Sequence, residues 1–193
     1  MNKYYSYFFL TAMLIILASS SLISCPGTTF GGRFNTIFPL GEESKYTKTS
    51  FGFDLYGGYS FPHCPFETGL NIRYINWSPK DTYPGQTVSN TSWDFNAYCD
   101  YLWDDDDDCD FEPYGGIQLG IHDWFSSYTY NYDGNTQTYK ANGGNLAYDL
   151  HIGTYYELNK NIKLDLRLDY TGYTTKPTAQ TGFGVGLGAK YIF

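Results

Sequence analysis

The chain has 193 residues, enough for one domain with a sizeable core. Its net charge of −8 argues against nucleic acid as a partner, because phosphate binding needs a basic surface. Hydrophobic residues make up 42%, yet mean hydropathy is −0.39, which excludes a bundle of membrane helices; the 20% share of aromatics points to many short strands with aromatic girdles.

The long apolar run lies at the N-terminus. Lys3 supplies a positive start, residues 8–17 form the apolar stretch, and small residues follow at 18–21, the pattern of a secretory signal peptide. Residues 1–24 are expected to be the leader and 25–193 the mature domain. Two cleavage readings compete. Ala18-Ser19-Ser20 offers the small residues that a general signal peptidase reads. Leu22-Ile23-Ser24-Cys25 resembles a lipobox, in which Cys25 would carry lipid and begin the mature chain. Either route makes an oxidising compartment available to the cysteines.

From residue 30 onward the sequence alternates with period two, the mark of strands with one apolar and one polar face. A first strand sets Phe30, Phe34 and Phe38 against Gly31, Arg33 and Asn35, followed by a polar loop at 39–48. A second sets Phe51, Phe53 and Leu55 against Asp54 and Tyr56. The turn at 60–65 carries two prolines, which cannot donate to a ladder. A third strand sets Leu70, Ile72 and Tyr74 against Glu67, Asn71 and Arg73, and a polar loop follows at 78–91. A fourth sets Trp93, Phe95 and Ala97 against Asp94, Asn96 and Asp100, ahead of the acidic turn 104–108. A fifth sets Ile117, Leu119 and Ile121 against Gln118 and His122. Residues 126–144, rich in Tyr, Asn and Gly, read as the longest loop. A sixth strand sets Leu150 and Ile152 against Asp149, His151, Tyr155 and Glu157. The seventh sets Ile162, Leu164, Leu166, Leu168 and Tyr170 against Lys163, Asp165, Arg167, Asp169 and Thr171. The eighth sets Phe183, Val185, Leu187, Ala189, Tyr191 and Phe193 against Gly184, Gly186, Gly188 and Lys190.

Eight strands are an even number, and short connections alternate with longer ones. The pattern predicts an all-β chain: an eight-stranded antiparallel up-and-down transmembrane β-barrel, apolar towards lipid and polar inside. Closure satisfies every backbone group in a medium that offers no water. By parity the interior holds Arg33, Asp54, Arg73, Asp94, Asp100, Asp149, Glu157, Lys163, Asp165, Arg167, Asp169 and Lys190. Both signs are present, so ion pairs can offset the cost of taking charges out of water. A soluble sandwich would instead expose these charges and bury the greasy face.

The turn Tyr156-Glu157-Leu158-Asn159-Lys160-Asn161, the charged strand after it and the ending Gly186-Leu187-Gly188-Ala189-Lys190-Tyr191-Ile192-Phe193 resemble the small outer-membrane barrels of the OmpA/OmpX/opacity type. The resemblance implies an outer-membrane location and a monomer surrounded by lipid and lipopolysaccharide. It also implies that Tyr191 and Phe193 belong to the signal read by the barrel-assembly machinery. A lipobox at Cys25 departs from that family.

Cys99 and Cys109 flank the acidic turn and are expected to form a disulfide, with Cys64 as a rival partner; the Cys-x₂-Cys spacing of a zinc site is absent. The run 104–108 lacks the glycine and downstream glutamate of an EF-hand loop and reads as a solvated turn, so no metal and no cofactor is expected. Two barrel types of this size act on lipid A, one through a His–Ser arrangement. Neither His122 nor His151 has a convincing nucleophile beside it, so no enzyme is expected. The leading expectation is a non-enzymatic barrel whose outer loops serve adhesion to host or other surfaces, or envelope integrity. Lipid A modification, and a soluble or lipid-anchored barrel binding a small apolar ligand, stand as alternatives.

Overall fold

Eight antiparallel strands form one closed ring in a computed structural model that describes residues 27–61, 63–80, 85–103, 110–132, 135–174 and 180–193. They are β1 (Thr28–Leu40), β2 (Ser50–Ser60), β3 (Phe66–Trp77), β4 (Gln86–Leu102), β5 (Phe111–Tyr132), β6 (Asn135–Asn159), β7 (Ile162–Tyr173) and β8 (Gln180–Ile192). Each strand pairs with the next, and β8 returns to β1 along the register Thr29↔Ile192 to Leu40↔Thr181. The expected eight-stranded up-and-down barrel is the fold observed. The leader, Cys25, Cys109 and the acidic run 104–108 lie outside the described residues.

The alternation of the sequence becomes the two faces of the wall. Leu70, Leu119, Ile152 and Leu187 are each 60–62% exposed on the outer surface, where only a lipid environment makes such exposure favourable. Aromatic rings cluster at both ends of this apolar band. Phe66 and Tyr101 stack edge to face at 5.3 Å and Tyr191 meets Phe193 at 4.8 Å near the end that holds the short turns. At the other end Phe53, Tyr74 and Trp93 form a row with centroids 5.5 and 5.0 Å apart. Two such girdles mark the interfaces of a transmembrane barrel, with short turns on the periplasmic side.

Register carries the charge pattern round the ring. Arg33 faces Asp54, Asp54 faces Arg73, Arg73 faces Asp94 and Asp94 faces His122 across four successive strand pairs. Directly opposed opposite charges favour this register, and a slip of one residue would turn every one of them towards lipid. Near the outer rim the interior turns apolar: Ile37, Ile75, Ala147 and Tyr173 pack together, with Trp77 against them.

Two expectations are corrected. The stretch expected as a loop at 126–144 is strand over its described residues: β5 and β6 stay paired in continuous register from Ser126↔Ala141 to Tyr132↔Asn135. The polar loop at 78–91 is also shorter than expected, because β4 begins at Gln86 and pairs with β5 from Gln86↔Tyr130. Side chains there are polar on one face and tyrosine-rich on the other, so hydropathy does not alternate although the strands do. The three strands thus rise together past the rim, since β3 reaches only Trp77 and β7 only Tyr173.

Candidate functional site: a filled lumen beneath an aromatic extension

The lumen is built from inward side chains of all eight strands, tied into three connected layers. Nearest the periplasm, Glu67 pairs with Lys190 at 3.1 Å and accepts hydrogen bonds from Thr29, Ser60 and Tyr98 at 3.1, 2.6 and 3.0 Å. The Lys190 ammonium also sits 3.5 Å over the centre of the Tyr155 ring.

In the middle, Asp165 accepts from Arg33 at 2.9 Å, Tyr56 at 2.8 Å and Tyr114 at 2.7 Å. Asp54 is the hub. It accepts from Arg33 at 3.1 Å, Arg73 at 3.0 Å, Asn35 at 2.7 Å and Asn71 at 3.3 Å. Arg73 reaches on to Asp149 at 3.3 Å, and Arg167 pairs with Asp149 as well. The ring of His151 bridges Asp149 at 2.9 Å and Asp100 at 2.7 Å. In the outermost layer His122 pairs with Asp94 at 2.6 Å, Tyr173 donates to Asp94 at 3.0 Å, and the two rings stack at 3.9 Å.

Among the described residues, seven buried carboxylates (Asp54, Glu67, Asp94, Asp100, Asp149, Asp165, Asp169) thus meet four buried cations (Arg33, Arg73, Arg167, Lys190) and two buried histidines. Removing one partner of such a pair leaves an uncompensated charge in a low-dielectric interior, so the network resists rearrangement. It also fills the space. Arg73, Arg167, Tyr114, Tyr155 and Tyr173 are among the largest fully buried side chains, as expected where eight strands leave room only for side chains. Glycines complete the fit: a Cβ on Gly116 would lie 2.2 Å from the Asp100 carboxylate and 2.8 Å from His151.

Of the residues read as interior, Arg33, Asp54, Arg73, Asp94, Asp100, Asp149, Asp165, Arg167, Asp169 and Lys190 are buried together in this way. Glu157 is not: it still faces Lys163 across the β6–β7 ladder, but it lies at the very end of the barrel, where it is exposed. Lys163 sits half-buried at the periplasmic rim and pairs with Glu112 of β5 rather than with the network. Glu67, Tyr56, Tyr98 and Tyr155 stand on the polar faces of their strands in the sequence but were left out of the interior network, in which all four take part. Cys64 is exposed, and Cys99 lies half-buried on the outer face; the Cys99–Cys109 pairing falls outside the described residues through Cys109. No group of three potential metal ligands occurs among the described residues. Among the described residues the lumen is filled by paired polar side chains, with the packed cluster of Ile37, Ile75, Ala147 and Tyr173 above them, an arrangement unlike the open apolar pocket that a small greasy ligand would need.

Above the rim the β4–β6 extension has two unlike faces. One continues the outer wall and carries Thr87, Ser89, Ser127, Thr138 and Lys140, with Thr129 and Thr138 hydroxyls 3.1 Å apart. The other continues the lumen side and carries Trp124, Tyr128, Tyr130 and Tyr139. Tyr130 and Tyr139 meet edge to face at 6.1 Å. Their hydroxyls are tied to amides: Gln86 donates to Tyr130 at 3.2 Å, and Tyr139 donates to Gln137 at 2.9 Å.

Residues 9–193 match the family model described as outer membrane protein beta-barrel domain. No curated protein matches this sequence. Among solved structures, Neisserial surface protein A superposes with a TM-score of 0.61 at 13% identity, covering 86% of this chain and 97% of that one. A major outer membrane protein of Thermus thermophilus gives 0.57 at 16%, covering 86% and 99%. Ail, the attachment invasion locus protein of Yersinia pestis, gives 0.56 at 15%, covering 88% and 100%. At these identities the likeness is one of fold.

Proposed function

Because the chain belongs to the outer membrane protein beta-barrel family, and is a protein of the bacterial outer membrane, we propose that it is a non-enzymatic barrel that meets external surfaces through the β4–β6 extension. The observation that carries this reading is the extension itself. Three paired strands lift exposed tyrosines clear of the rim, while the lumen below is packed with mutually paired charges. Rigid aromatic side chains on a paired ladder offer contact area at low entropic cost, as interaction surfaces do. The histidines support the non-enzymatic reading. His122 and His151 are buried and engaged with carboxylates, and no serine or threonine hydroxyl donates to either ring among the described residues.

The partners follow from the surfaces. Lipid covers the apolar band, and closure of β1 on β8 leaves no strand edge within the membrane that would call for a second copy, which favours a monomer. The exposed Tyr191 and Phe193 rings at the periplasmic end suit recognition by the assembly machinery.

The test replaces residues 126–144 by a two-residue turn and compares attachment of whole cells to host-cell and abiotic surfaces. Attachment should fall while the outer-membrane level and heat-dependent gel mobility stay unchanged. Unchanged attachment with altered detergent sensitivity would replace this reading with a role in envelope integrity.

A further inference from the structure

We propose that the lumen-side face of the β4–β6 extension is a binding platform for neutral oligosaccharides. The proposal rests on the surface-interaction reading above and names its ligand class. Trp124 stands at the base of this face, its ring flat against Gly143, where a Cβ would come within 2.9 Å of the indole. Its indole nitrogen is 3.2 Å from the Asn145 amide. Above it rise Tyr128, Tyr130 and Tyr139, which are 36%, 43% and 59% exposed. Tyr139 lies directly across the β5–β6 ladder from Tyr128, and Gln137 directly across from Tyr130. Gln86 flanks Tyr130 on the β4 side. Aromatic faces therefore alternate with amide groups along a fixed ladder, and the two tyrosine–glutamine hydrogen bonds hold the rings in place before any ligand arrives. Such preorganisation lowers the ordering cost of binding.

The chemistry of that surface selects a ligand class. A pyranose ring offers a face of C–H groups and a rim of hydroxyls. The C–H face stacks on an aromatic ring, and the hydroxyls exchange hydrogen bonds with amides and phenols, which act as both donors and acceptors. Charge argues against an anionic glycan. Among the described residues, the lumen-side face of the extension carries no ionisable side chain other than its tyrosines; Lys140 and Asp123 fall on the opposite parity, and the whole chain carries −8. The aromatic area matches a short glycan: at about 200 Å² per ring the three tyrosines leave roughly 300 Å² open, the scale of a stretch of a few sugar units.

The experiment uses the full mature chain refolded into nanodiscs. Binding is measured by calorimetry against neutral glucose-, galactose- and N-acetylhexosamine-based oligosaccharides, with sucrose octasulfate as the anionic comparator. At least one neutral series should bind. The Tyr130→Ala/Tyr139→Ala variant should weaken it by about tenfold or more, a difference of about 1.4 kcal/mol or more. Tyr130→Phe/Tyr139→Phe, which keeps the rings, should weaken it less. Heat-dependent gel mobility of each variant shows that the barrel is folded. Three outcomes overturn the proposal: no neutral oligosaccharide binds at millimolar concentration, the alanine variant binds as the parent does, or sucrose octasulfate is preferred. Loss of attachment to protein-coated surfaces in the alanine variant, without glycan binding, also overturns it in favour of a protein partner. If removing 126–144 still abolishes cell attachment in any of these cases, the surface-interaction reading stands and only the ligand class falls.

Discussion

Asp54 holds four donors from the two strands that flank its own, and its neighbours cannot find water if it is removed. Asp54→Ala leaves two guanidinium groups and two amides facing a gap. The expected loss is about 3–5 kcal/mol, read from urea unfolding of the barrel in lipid vesicles. The exposed pair Lys45–Glu42, at 2.7 Å with side chains 61% and 64% exposed, is the control; Glu42→Ala should change stability by less than about 1 kcal/mol. A second test addresses the close fit of the wall. Gly116→Ala places a methyl group into the Asp100–His151 contact, which forces one of them aside at a cost of about 1–3 kcal/mol in the same assay. Much of this residue-level arrangement was legible beforehand. Parity alone placed Arg33, Asp54, Arg73 and Asp165 on one side of the wall, because each lies an even number of residues from the next polar neighbour on its strand. Parity could not reveal who pairs with whom. Arg33 finds Asp165 through a separation of 132 positions, set by the curvature of the closed sheet rather than by spacing.

At the level of strands, the alternation was plain because apolar residues take turns with charges in β7 and with glycines in β8 without a break. The extension was hidden for the opposite reason. Residues 126–144 alternate tyrosine with threonine, serine and asparagine, and neither face is greasy, so a hydropathy reading finds no strand. Glu157 was misplaced because parity gives the side of the wall but not the depth: it keeps its pairing with Lys163 yet sits at the end of the barrel, open to water. The contrast between wall and extension has a measurable form. Leu187→Arg places a charge on the lipid face at 62% exposure, and should cost about 2–4 kcal/mol in vesicle unfolding if it lies near the bilayer midplane. Thr138→Arg, on the exposed outer face of the extension, should stay within about 0.5 kcal/mol. Equal penalties at the two sites would mean that the extension is immersed in lipid rather than raised above it.

For the molecule as a whole, the filled lumen decides what the barrel does not carry. Buried tyrosines and arginines occupy the cross-section from the Glu67 layer to the apolar cap of Ile37, Ile75, Ala147 and Tyr173. Planar bilayers containing the folded protein should show no steady ionic current above background. A sustained conductance would mean that the network opens as a unit. The folded barrel should also migrate differently in semi-native gels before and after boiling, since paired strands on all sides resist detergent.

The seam between β1 and β8 sets an order of events. Strand β1 has β2 as one neighbour within reach early, but its other neighbour is made some 150 positions later. Until β8 arrives, half of the hydrogen-bonding groups of β1 have no partner, and the greasy outer face has no ring to hold it. No partial chain can therefore rest in a finished state. Until closure the chain is an open ribbon that shows both a greasy face and an unpaired edge. The last strand to be made is the one that locks the first, so maturation should proceed as a single late commitment rather than as a gradual build-up.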